Sequence, residues 1–162
     1  MTDAQATAAL TALTQHMIRL EPMLEQVRVK EWVAKGAPEA YVRQLAELNS
    51  QIKAVETEAG QLGQNPEQMQ DSMRMLFRTQ SLRIPLDSLM AGLRKYQNPP
   101  LADLIQSVAA EDETQISQLE TWILQLAEDK DQQYQIVNNE AQRCRATLSR
   151  EPAPRAKAVH NQ

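Results

Sequence analysis

The residues able to do chemistry are few and lie far apart in the chain. Its 162 residues include two histidines, His16 and His160, and one cysteine, Cys144. A carboxylate-bridged di-metal centre in a helical bundle needs inward-facing Glu residues and Glu-x-x-His pairs on facing helices. His16 follows "ALTALTQ", with no Glu three residues earlier, and His160 lies in a stretch without apolar periodicity. A thiol nucleophile needs a histidine base within reach. Cys144 instead sits on an apolar stripe between Ala141 and Leu148, where a small buried thiol is an ordinary core residue. A zinc site would require more cysteines, and the 4 glycines are scattered through turns rather than gathered into a phosphate-cradling loop. The expectation is a non-enzymatic protein with no catalytic, cofactor-binding or metal-ligating set.

The elements that carry these residues are helices. With 4 Gly, 1 Phe and abundant Ala, Leu, Gln and Glu, the composition favours helix and leaves too few β-branched and aromatic residues for a sheet. Thr2 with Gln5 makes a capping box for a first helix. Leu10, Leu13, Met17, Leu20, Leu24 and Val27 follow in steps of three and four, with His16 at the border of that stripe. The stripe keeps its phase across Pro22, which predicts a bend there. "AKGAP" (34–38) closes the segment, since Gly36 can terminate a helix and Pro38 can begin the next. A second helix carries Tyr41, Leu45, Leu48, Ile52, Val55, Ala59 and Leu62 until "GQLGQNPEQ" (60–68) stops it, with Asn65 as cap and Pro66 as first residue of the third.

The third helix, about Pro66 to Gln97, holds a proline in its interior. Met69, Met73 and Leu76 form one stripe, and Leu82, Leu86, Leu89, Leu93 and Tyr96 form another. Leu76 and Leu82 are six residues apart where a continuous stripe would use seven, so the apolar face slips just before Pro85. A distortion over Thr79–Ile84 follows, because proline also disfavours α geometry in the residue before it. "YQNPPLAD" then starts a fourth helix with Leu101, Ile105, Val108, Ile116, Leu119, Ile123 and Leu126, and Asp112 occupies the stripe position between Val108 and Ile116. Tyr134, Val137, Ala141, Cys144 and Leu148 resume in phase. A helix of about 50 residues would be ~75 Å long, so either its end overhangs the others or the chain folds back near Asp129. The kept phase, with no Gly or Pro between, favours the overhang.

Charge excludes further classes. The net charge is −4, which argues against a dedicated nucleic-acid-binding domain. Residues 103–131 carry net −7 and residues 143–157 net +4. No apolar run approaches the ~20 residues of a membrane span. A lone cysteine cannot form an internal disulfide, so a cytoplasmic location is expected. Four of the 7 methionines (Met69, Met73, Met75 and Met90) lie in the third helix beside Leu76 and Phe77. Flexible thioethers suit either an irregular core or an adaptable partner groove. Met69, Met73, Leu76, Phe77 and Arg83 are therefore the candidate partner-binding residues.

"TQSLRIPLDSL" (79–89) resembles the phosphoacceptor box of bacterial sensor histidine kinases, S-H-E-L-R-T-P-L, with Leu82, Arg83, Pro85 and Leu86 matching in place. "ISQLETWILQLA" (116–127) is similar to the returning helix of such a dimerisation hairpin. The phosphorylatable histidine falls on Gln80 and the catalytic glutamate on Ser81. The resemblance therefore implies a hairpin that dimerises or docks a partner without phosphorelay chemistry.

The reading as a whole is all-α: an up-down-up-down four-helix, coiled-coil-like bundle over residues 1–149, with a kinked third helix, a long fourth helix and a flexible basic tail at 150–162. The expected function is a protein–protein interaction module, that is, an adaptor, assembly factor or chaperone-like bundle. A degenerate kinase-type hairpin and a structural subunit of a larger assembly are the alternatives. The expected partner is another protein or a second copy of the chain, not a membrane or a nucleic acid.

Overall fold

A computed structural model describes residues 1–150, nearly all of them in helices or the short turns between helices. The helices are α1 (Asp3–Leu24), α2 (Val29–Ala34), α3 (Ala40–Leu62), α4 (Met69–Ser81), α5 (Arg83–Tyr96), α6 (Pro99–Ala109) and α7 (Glu113–Leu148). A single 3-10 turn, Ala110–Asp112, separates the last two. Of the basic tail expected at 150–162, residues 151–162 lie outside the described residues. No strand occurs among the described residues, and no helix there is long and apolar enough to cross a membrane.

The chain divides into two compact units, Met1–Leu126 and the residues from Ala127 onward. Within the first, α1 packs most extensively on α3, α3 also meets α2, α4 and α5, and α6 lies against α5 and α1. The stripes read from the sequence supply the core: Leu10, Leu13, Met17, Leu20 and Leu24 of α1 meet Leu48, Ile52, Val55 and Ala59 of α3, with Met75, Leu89, Met90 and Leu93 from α4 and α5. A smaller cluster joins Ala6, Trp122 and Leu126, with Met1 and Met69 packed on it. The Trp122 indole N–H donates to the Pro66 carbonyl at 2.9 Å, tying α7 to the turn before α4.

Several starts and stops follow local chemistry. Thr2 and Gln5 form the capping box at the start of α1, and Asn98 accepts from the Leu101 N–H with two prolines opening α6. Gly36, at φ +93°, ends the α2 turn in a conformation that suits only glycine. Trp32, Tyr41 and Tyr96 pack at centroid distances of 5.4–6.4 Å. The absence of a side chain on Gly92 permits that packing, because a Cβ there would sit 2.9 Å from the Trp32 and Tyr41 rings.

Three expected helices differ in detail. The first runs through Pro22 but stops at Leu24, and Val29–Ala34 forms a separate helix, so the proline sits one turn from an end rather than in a long bent rod. The third starts at Met69 rather than Pro66, and it breaks at Leu82, inside the distorted stretch that the register slip indicates. The fourth is interrupted at Ala110–Asp112. Asp112, whose side chain competes with the backbone for hydrogen bonds and so favours turns over helix interiors, lies in that interruption.

Candidate functional site

The two interruptions face the same space. The α4–α5 break contributes Thr79, Gln80, Leu82 and Arg83, and the α6–α7 break contributes Ala109, Ala110, Asp112 and Glu113, to the wall of one cavity of about 740 Å³. Leu20, Leu48, Ile52, Leu86 and Ile116 make the rest of the wall largely apolar, and His16 reaches it from α1. The kinked "TQSLRIPLDSL" segment thus shapes a hollow in the first unit instead of filling it.

His16 and Asp112 are the buried polar pair of this cavity. His16 is only 4% exposed, and its Nε2 lies 3.7 Å from Asp112 Oδ2, too far for a hydrogen bond. Nε2 has no other partner. On the far side of the ring, Arg19 Nη2 stands 3.4 Å from Nδ1. A guanidinium can only donate, so Nδ1 is the acceptor and the neutral imidazole carries its proton on Nε2, facing Asp112. Arg19 is itself held by Glu111 at 2.5 Å.

Burial governs both titrations. It lowers the His16 pKa, with the Arg19 charge acting in the same direction, so His16 is neutral at pH 7. Burial raises Asp112 to about 6, leaving it mainly ionised at pH 7. Asp87, Glu113 and Glu120 also line the cavity against the single Arg83, which makes the wall acidic. Glu120 accepts from Gln80 Nε2 at 2.7 Å. The 3.7 Å between Nε2 and Oδ2 leaves no room for an intervening atom, so the Nε2 proton stays unpaired beside the carboxylate, and the acidic wall repels anions. No cluster that could hold a metal ion occurs among the described residues.

The sequence pointed to this pair only obliquely. Asp112 stands out as a carboxylate in a core position, and His16 as a polar residue at a stripe border. Their meeting needs the fold, since nothing local relates positions 96 residues apart. The candidate partner-binding residues are dispersed. Met69 and Leu76 pack into the interior, Arg83 borders the cavity, and Met73 and Phe77 remain 37% and 60% exposed. Met75 and Met90 are fully buried, so the methionine-rich helix uses much of its sulfur as core.

A second feature stands out in the other unit. From Glu128 to Leu148 every residue of α7 is exposed. Tyr134 (72%), Val137 (64%) and Leu148 (70%) carry their apolar surface in solvent. Cys144, expected as a buried core thiol, is exposed as well. Comparison with protein-family models, with curated proteins and with solved structures finds no match to this chain.

Proposed function

We propose that the chain is a non-catalytic protein–protein interaction module that binds a partner helix through the C-terminal half of α7. One observation carries this reading. Tyr134, Val137, Ala141, Cys144 and Leu148 repeat in three–four steps, the spacing of a coiled-coil seam, and all five are exposed. A seam of that period gains its stability by burying the stripe against another helix. The first unit is the scaffold that presents it, and we read its segments as an up-down-up-down bundle. The test is capture with wild-type bait and with a Val137→Asp, Leu148→Asp bait, each offered a differently tagged copy of the chain within native lysate. Loss of bound protein from the double variant, with its helical signal retained, is the expected result. Equal capture by both baits would contradict the reading.

The largely apolar cavity with Asp112 in its wall favours a second reading for the first unit, as a binding site for a small uncharged amphiphile. A hydroxyl in the cavity would donate to the Asp112 carboxylate, while an alkyl chain lies against Leu20, Ile52 and Leu86. The acidic wall disfavours carboxylates and phosphates. Thermal stabilisation by 1-octanol but not by octanoate is expected. Equal responses to the two ligands would exclude this site.

A further inference from the structure

We infer that the partner of the α7 seam is a second copy of this chain, paired antiparallel so that Tyr134 packs on the partner's Cys144 and Val137 on the partner's Ala141. This rests on the proposed function and names the partner it leaves open.

Shape complementarity comes first. Tyr134, Ala141 and Leu148 occupy one core position of the heptad, and Val137 and Cys144 occupy the other. In a parallel pair each residue meets its own counterpart. Ala141 would then stack on Ala141 and Cys144 on Cys144, leaving two thin layers together, while two tyrosine rings crowd a third. In an antiparallel pair the two core positions alternate across the seam. Tyr134 meets Cys144, Val137 meets Ala141, and the stem of Lys130 covers Leu148. Large then lies on small in the Tyr134–Cys144 and Val137–Ala141 layers, which keeps their volumes even.

Charge gives the same orientation. The segment begins with Glu128, Asp129 and Asp131 and ends with Arg143, Arg145 and Arg150. A parallel pair sets acidic end on acidic end and basic on basic. An antiparallel pair sets each acidic end on a basic one. Asp131 and Arg145 share the same flanking position of the heptad, and in antiparallel helices that position faces its own kind. Asp131 therefore lies opposite the partner's Arg145 at both ends of the overlap. The parallel form would gain contacts between Glu140 and the partner's Arg145, and the antiparallel form brings two Glu140 side chains together at its centre. That single like-charge contact is weaker than the opposition of whole charged ends that it replaces. The paired segment, 130–148, is about 28 Å long at 1.5 Å per residue.

Disulfide trapping in the full chain tests the orientation. Two Cys144 residues in the antiparallel pair stand about 15 Å apart along the axis, beyond the ~7 Å Cα separation a disulfide can span. Mild oxidation of the wild type should leave it uncross-linked. Wild type mixed with a Tyr134→Cys, Cys144→Ser chain should give a covalent heterodimer bridging positions 144 and 134. Light scattering should show twice the chain mass for wild type and a single chain mass for Val137→Asp. A wild-type Cys144–Cys144 bridge in a dimer that Val137→Asp disperses would overturn the antiparallel inference while leaving the seam as the interaction surface. Wild type that stays monomeric at all concentrations would also overturn it, and capture through the seam would then decide the proposed function alone. A dimer that survives Val137→Asp would overturn both.

Discussion

The apolar stripe of α3 and the stripe of the second half of α7 follow the same rule of spacing and meet opposite fates. Leu48, Ile52, Val55 and Ala59 are buried against α1, α4 and α5. Tyr134, Val137 and Leu148, at equivalent spacing, are covered by no other described residue. Periodicity reports that a face is made to be buried. Whether the covering surface belongs to the same chain depends on how far the neighbouring helices reach, and that is not a property of the stripe. The difference between the two regions is the observation on which the proposed function rests.

The largest expected effect separates them directly. Ile52→Ala removes a fully buried side chain and should cost about 2–5 kcal/mol of unfolding free energy in denaturant titration. Val137→Ala should change the unfolding of the first unit by less than ~0.5 kcal/mol and show itself only as a rise in the concentration needed for association. Equal costs at both positions would erase the contrast.

Polar contacts inside the packed region come next. The Gln97 side chain accepts from the Arg28 N–H and the Trp32 indole N–H and donates to the Gln26 carbonyl, fastening the turn before α2 to the end of α5. Gln97→Ala strands the part-buried indole donor, with an expected loss of about 1–3 kcal/mol by the same titration.

Asp112 is the place where the packed region carries a charge it would hold better as the neutral acid. With its folded pKa raised to about 6, the folded chain binds the extra proton, so this group's contribution falls as pH rises from about 4 to about 6 and stays low above that. His16 has the opposite sense, since its lowered pKa costs stability as pH falls through the ordinary histidine range. Asp112→Asn should therefore gain roughly 2 kcal/mol relative to wild type at pH 7.5, with the gain gone at pH 4. A gain independent of pH would place the effect in packing rather than titration. The smallest expected change is Thr2→Ala, about 1 kcal/mol from the loss of the capping box at α1.

What was legible in the sequence was whatever depends on neighbours in the chain. The capping of α1 by Thr2, the Asn98 cap of α6, the Gly36 stop and the break ahead of Pro85 are settled within a few residues by dihedral preference and hydrogen bonding. The six-residue step from Leu76 to Leu82 places the distortion that the structure shows at Leu82. The end of α1 at Leu24 was less legible, because the stripe continues in phase to Val27 while the backbone has already turned. The cavity was not legible at all. Its wall joins His16, Ile52, Arg83 and Asp112 through packing between distant segments. Asp112 still left a trace, as a carboxylate at a core position without a local reason. Cys144 follows the same apolar spacing as Ile52, and what separates them is that no described helix covers Cys144.

Amide hydrogen exchange across residues 127–148, followed as a function of protein concentration, tests the central claim that this half of α7 is completed by association. Protection at 134–148 should rise with concentration in the wild type and stay low and concentration-independent in Val137→Asp, while protection of α3 is the same in every sample. Strong protection at 134–148 that does not depend on concentration, and that Val137→Asp leaves intact, would contradict the account.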